Sequence, residues 1–213
     1  MIVIDGVDGS GKGVQSRRLY QALLDSGRQA ILTREPGGSG VAENIRKLLV
    51  EGEPDNLDSM TELLLMYAAR RSHLDKTIWP AMAEKKWVVC DRYADSSRAF
   101  QGIAGKLGLE TVEKIHRIVV GAFAPALVLI LDISQSIALA RAIQRGGGED
   151  RFEKKGEGYQ ARVREAFLQI AKSNSNQYHI INADQTIDQV TADITDVVNQ
   201  RFALNLQANL AIT

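Results

Sequence analysis

Eight residues near the start of the chain, Gly6-Val7-Asp8-Gly9-Ser10-Gly11-Lys12-Gly13, have the types and spacing to bind a phosphate chain. They follow the pattern glycine, four residues, glycine, lysine, then Ser or Thr, up to its last position. The glycines let backbone N–H groups turn inward and approach phosphate oxygens. The helix start that must follow adds positive potential. Lys12 adds a point charge for the β- and γ-phosphates, and a charge pair at about 4 Å is worth roughly 4 kcal/mol at an effective dielectric of ~20, before desolvation. The chemistry is binding of a nucleoside triphosphate. The bland alternative is a glycine-rich turn without a ligand, and the order strand, loop, helix favours the phosphate reading. The hydroxyl that usually ends the pattern and coordinates Mg²⁺ is missing, because position 13 is Gly13 and the next residue is Val14. Mg²⁺ must then rely on nucleotide oxygens, waters and carboxylates, which suits an ion that keeps several waters.

A triphosphate site does not say what is done with the triphosphate. The Asn-Lys-x-Asp base-reading motif of GTPases is absent, as is a protein-kinase His-Arg-Asp loop. Asp91-Arg92-Tyr93 stands at the end of an apolar run. An Asp there can hold Mg²⁺ directly or through water. Arg92 beside it can clamp a phosphate with its planar fork. A structural Asp–Arg pair capping a strand is the plain alternative. Ser97 and Gln101 are four apart, so on a helix they share a face and could hydrogen-bond a base edge.

These residues need a scaffold, and the apolar pattern supplies one. Runs at 2–5, 30–33, 87–90, 127–131 and 179–181 are mostly continuous, as expected for strands buried on both faces. Helical periodicity marks 11–24, 59–83, 110–120, 134–145, 159–171 and 188–202. Strands alternating with helices predict an α/β fold, a mostly parallel sheet with helices on both faces. Two segments read as loops: the turn-rich 34–40, and 146–158, which is dense in glycine and charge and lies between two helices, where mobile lids often sit, although composition alone favours a solvated connector. Residues 203–213 are weakly patterned, either a frayed end or a small packing segment.

Composition bounds the rest. At 213 residues one domain, 1–213, is expected. Lys+Arg and Asp+Glu both number 26, so net charge is zero, which argues against gripping nucleic acid or an anionic membrane by bulk charge. The longest apolar run is far too short to span a bilayer, and no targeting segment is visible. The single cysteine, Cys90, rules out an internal disulfide framework and fits a reducing cytosol. It reads as a packing residue. His73, His116 and His179 do not cluster and read as structural.

At this point the chain resembles thymidylate kinases, the P-loop nucleoside monophosphate kinases that phosphorylate dTMP. The resemblance runs nearly the whole length. It rests on V-I-D-G-V-D-G-S-G-K at 3–12, T-R-E-P-G-G at 33–38, I-R-K-L-L at 45–49, Y-A-A-R at 67–70, D-R-Y at 91–93, S-S-R-A-F-Q-G at 96–102 and D-R-F-E at 150–153. It implies a P-loop fold with a five-stranded parallel sheet, a lid at 146–158, ATP and Mg²⁺ as donor and metal, dTMP as acceptor, and a cytoplasmic homodimer. It implies that Asp8 faces the acceptor sugar, that Arg46 and Arg92 bind the dTMP phosphate, and that Arg70 donates to thymine O4. Ser97 and Gln101 would read the rest of the base edge, and Pro36 would shape the pocket. Arg141 would lie near the adenine, and Arg145 or Arg151 in the lid would reach the transferring phosphoryl. The family usually stacks thymine on a Phe, where this chain has Met66, whose polarizable sulfur can cover a ring face. Near the sugar, Phe100 stands where Tyr is common. The reaction expected is ATP + dTMP → ADP + dTDP. Two other readings fit the same residues: a kinase for another nucleoside monophosphate, and a nucleotide-binding protein of this fold with impaired catalysis.

Overall fold

A computed structural model describes residues 1–145 and 151–210. Five strands form one sheet: β1 (Ile2–Gly6), β2 (Ala30–Arg34), β3 (Trp87–Asp91), β4 (Leu127–Asp132) and β5 (Tyr178–Asn182). Their order is β2-β3-β1-β4-β5, and every pair is parallel. The expected five-stranded, mostly parallel sheet is found and is parallel throughout, with each strand one or two residues longer than its apolar run. The central strands read as continuous apolar runs because both of their faces are covered. The edge strands β2 and β5 keep exposed residues.

Strand order decides where a site can form. β1 has β3 on one side and β4 on the other, so the chain leaves the sheet in opposite directions around it. The crevice beyond the strand C-termini at such a reversal is where open α/β sheets bind ligands. Register carries the point to single residues, because Ile4 pairs with Asp91 and Gly6 with Leu131. The phosphate loop after β1 and the Asp91-Arg92 pair after β3 therefore emerge side by side.

Helix α1 (Lys12–Asp25) lies on β1, β2 and β3 and against α9 (Ile187–Phe202). Buried Arg18 ties these two together, donating to Asp188 at 2.7 Å and to the Thr191 hydroxyl at 2.8 Å. It also donates to the Leu210 carbonyl at 3.1 Å. With Leu206 buried as well, the described part of the tail is a packing segment, the second of the two expected alternatives. Helix α8 (Glu157–Lys172) covers β4 and β5. No helix among the described residues is long and apolar enough to cross a membrane.

The stretch 59–83, expected as one helix, is divided. Helix α3 (Ser59–His73) passes through a π turn (Leu74–Ile78) into α4 (Trp79–Ala83). Pro80 has no N–H to donate and its ring crowds the preceding turn, so regular α pairing cannot run through it. Two helical segments are new relative to the periodicity. Helix α2 (Gly40–Val50) starts on Ser39, whose hydroxyl accepts from the Ala42 N–H. Helix α5 (Ala94–Ser97) runs into a π turn at Arg98–Ala104. Beyond these, α6 (Leu109–Val119) packs on α3, and α7 (Gln135–Arg145) follows β4.

Candidate active site

The phosphate loop is shaped by close backbone contact. Gly6 has φ 137, and a Cβ there would lie 2.6 Å from the Leu131 carbonyl oxygen, so only glycine fits. Lys12 opens α1 almost fully buried, with Nζ donating to the Val7 carbonyl at 2.6 Å and to Ser10 Oγ at 3.5 Å. Burial, and then the nearby Arg92 charge, lower its pKa to about 8, against the opposing pull of Asp8, Asp91 and Asp5. A cavity of about 600 Å³ opens over this loop. Residues 8–14 line one wall, and Arg141 with Gln185, Thr186 and Ile187 lines another.

Beside it lies a smaller cavity of about 90 Å³, walled by Pro36, Met66, Arg70, Phe100 and Gln101. Asp8, Glu35, Arg46 and Arg92 line both cavities, so they mark the border between them. Arg92 is the most constrained of the four. Its φ of 68 is a left-handed conformation that costs a non-glycine residue about 1–3 kcal/mol. Its N–H donates to the Ile4 carbonyl at 2.9 Å. The guanidinium donates to Asp8 at 2.5 Å, to the Gly6 carbonyl at 2.8 Å and to Ser96 Oγ at 3.1 Å. The strained turn thus aims the fork across the end of β1.

Asp5 anchors this turn from below. Fully buried, it accepts from the N–H groups of Gly6, Tyr93 and Ser96, from the Ser96 hydroxyl, and from Arg92 at 3.3 Å. Burial raises its pKa to about 6, and Arg92 pulls the other way.

Arg70 forms the floor of the smaller cavity. Nε donates to Glu35 at 2.7 Å, both Nη atoms reach Ser97 Oγ at 3.2 Å, and Nη2 reaches the Tyr93 carbonyl at 3.0 Å. The guanidinium also lies over the Tyr67 ring at 4.5 Å. Burial alone would lower its pKa, but Glu35 and the two tyrosines outweigh that and raise it. Glu35 is held in turn by His73 Nδ1 at 3.1 Å, and His73 Nε2 meets Thr33 Oγ1 at 2.6 Å. His73 is thus structural, as the sequence suggested. Ser97 stands behind Arg70 rather than on the cavity wall, so its contact is with the arginine. Gln101 lines the wall with Nε2 donating to Glu62 at 2.9 Å.

The donor set suits Mg²⁺. Among the described residues no cluster of three or more His, Cys, Asp or Glu side chains could cage a metal. Asp91 lines the phosphate cavity alone with Asp8 and Glu35 as carboxylates. A Cβ at Gly13 would sit 3.4 Å from Asp91 Oδ2, so the residue that usually brings the metal hydroxyl faces this carboxylate. One or two carboxylates completed by phosphate oxygens and waters is the usual Mg²⁺ arrangement.

The structure does not bring Arg151 to the phosphate loop. Its buried guanidinium donates to the carbonyls of Leu49, Glu53, Pro54 and Leu57 and to Glu62 at 2.7 Å. Lys155 also bonds Glu62. The side chain of Arg145 and residues 146–150 of the expected lid lie outside the described residues. Cys90 is buried with its thiol pKa pushed well up by burial, as a packing residue requires.

Sequence reasoning missed Asp5, Glu35 and Glu62. One signal was available for Glu62: positions 62, 66, 69, 70 and 73 all lie on the buried face of α3, so a carboxylate stands in the apolar register.

Known proteins match this chain along most of their length. The thymidylate kinase family model matches residues 4–194. The thymidylate kinase of Caulobacter vibrioides is 45% identical over 203 residues, covering 95% of this chain and 97% of its own. That of Ruegeria pomeroyi is 43% identical over 197 residues, covering 92% and 93%. The crystal structure of thymidylate kinase from Ehrlichia chaffeensis matches with a TM-score of 0.72 at 31% identity, over 92% of this chain and 97% of that one. The match runs from β1 into α9 and so takes in the residues around both cavities; this chain belongs to the thymidylate kinase family.

Proposed function

We propose how this enzyme, which phosphorylates dTMP to dTDP, divides the work among its residues. ATP occupies the larger cavity and dTMP the smaller. Lys12 and the loop N–H groups from Gly9 to Val14 hold the donor phosphates, and Arg141 lies toward the adenine. Asp91 holds Mg²⁺, which supplies charge neutralisation to the donor oxygens when bound. Arg46 and Arg92 draw the acceptor phosphate to the border, and Asp8 orients the sugar and Arg92. Pro36, Met66 and Phe100 shape the wall, and Arg70, placed by Ser97 and Glu35, presents an N–H donor to a base carbonyl. Gln101 meets the rest of the base edge. No covalent intermediate is needed, because phosphoryl transfer is mostly positioning and charge stabilisation.

The observation that carries this reading is the shared border: Arg92 lines both cavities and holds its fork there through a strained backbone. Arg151 would have to leave five oxygen partners to reach the transferring phosphoryl. Arg145 is the sequence's other candidate for that role. The chain works as one domain, in a cytoplasmic homodimer. ADP release from ATP and Mg²⁺, measured separately with dTMP, dUMP, dCMP, dGMP, AMP and UMP, tests the assignment. Turnover should be strong with dTMP. A better acceptor among the others would move the base specificity, and none at all would leave only nucleotide binding.

A further inference from the structure

We propose that Glu62 sets which base the acceptor pocket takes, by fixing the orientation of the Gln101 amide. Glu62 and Gln101 are both fully buried. The two oxygens of Glu62 have different duties. Oε1 accepts from Arg151 Nη2 at 2.7 Å and from Lys155 Nζ. Oε2 accepts from Gln101 Nε2 at 2.9 Å. A carboxylate only accepts, so the NH₂ end of the amide must face it.

That leaves Gln101 Oε1 on the other side. It is buried and makes no hydrogen bond among the described residues, although its side chain lines the acceptor cavity. Buried acceptors are rarely left unpaired, and a ligand donor is one thing that pairs them. The pocket therefore presents a guanidinium donor, the Arg70 Nη1 N–H left over from its bonds to Glu35, Ser97 and Tyr93, beside an amide acceptor from Gln101. An imide edge, with a carbonyl beside an N–H, complements this pair. A cytosine edge opposes it, because its ring nitrogen accepts and its amino group donates. Glu62 acts through Gln101, so it is a positioning residue, and the inference rests on Gln101 being a base contact.

Steady-state kinetics of the full-length enzyme at saturating ATP test it, with dTMP, dCMP and N3-methyl-dTMP as acceptors. The wild type should accept N3-methyl-dTMP poorly, because the donor that meets Oε1 is gone. Glu62→Gln frees the amide to turn over, and the KM for dTMP should rise about tenfold, with kcat moving less. The preference for dTMP over dCMP should narrow by a similar factor, which a purely structural lesion would not produce. The double exchange Glu62→Gln with Gln101→Glu keeps one charge and one donor between the two positions, and leaves a carboxylate oxygen facing the base. It should restore most of the dTMP KM. A double exchange as poor as Glu62→Gln in a protein that melts like the wild type overturns the proposal. So does wild-type use of N3-methyl-dTMP equal to dTMP, a result that needs no variant to fold. Gln101→Leu with an unchanged dTMP KM would instead remove the base contact itself, and the role of Glu62 with it.

Discussion

Lys12→Met should make the ligand-free protein more stable while nearly abolishing turnover. Lys12 is 7% exposed, and its pKa falls from an ordinary 10.5 to about 8 because of burial and then Arg92. At about 1.4 kcal/mol per pKa unit, holding the charge in the fold costs about 3 kcal/mol at neutral pH. The substitution removes that cost along with the bond to the Val7 carbonyl, which keeps the Ser10 N–H as a donor at 3.4 Å. A net gain of about 2 kcal/mol remains, or roughly 4–8 °C in Tm for a chain of this size. The pH dependence has a definite sign. Between about 8 and 10.5 the unfolded chain binds the proton that the folded one has released. Wild-type stability therefore rises with pH through that window, and the advantage of the variant shrinks. Calorimetry of both proteins without ligand, from pH 7 to 9.5, reads both effects. Turnover should drop at least about a hundredfold with the phosphate anchor gone, and ATP should raise the Tm of the wild type only. A variant that melts below the wild type at pH 7, with a gap that does not change toward pH 9.5, would refute the claim that Lys12 is held at a cost for phosphate binding.

Three further outcomes follow from the geometry. Arg92→Gly and Arg92→Ala should both lose turnover by about a hundredfold or more, but the glycine variant should melt roughly 2–4 °C higher, because φ 68 suits glycine; equal melting would mean that the turn carries no strain. Gly13→Thr should fold, since its Cβ would meet Asp91 and Arg17 at 3.4 and 3.6 Å, and should lower the Mg²⁺ concentration for half-maximal rate; an unchanged Mg²⁺ titration would show that the missing hydroxyl is not limiting. Arg70→Ala leaves Glu35 buried with its guanidinium partner gone and should cost about 3–5 kcal/mol in denaturant unfolding, and Glu35→Gln in the same protein should recover part of it; no recovery would place the loss in packing rather than in the stranded charge.

Local pattern and tertiary structure contributed differently. The five strands, the phosphate loop and the Asp91-Arg92 pair were legible because each is local: continuous apolar runs, a fixed glycine–lysine spacing and a strand end. Helix α2 was hidden behind the turn-rich segment before it, and because Val41 and Leu48 are exposed its apolar positions do not form one buried stripe. The π turns depend on hydrogen-bond offsets that periodicity cannot report. The role of Arg151 depends on which carbonyls converge at the end of α2 and in the connection to α3, a matter of chain path.

The sequence by itself determined an α/β phosphate-binding enzyme and, by its motifs, the dTMP kinase family, because short-range spacing dictates which backbone groups can cradle a phosphate. Only the tertiary structure decided that Ser97 serves Arg70, that Arg92 is strained at the border of two cavities, and that Glu62 stands between Arg151 and Gln101. Those pairings join residues 27 to 89 positions apart, and burial turns each into a constraint, since a desolvated charge or amide must find its partner where the fold places one.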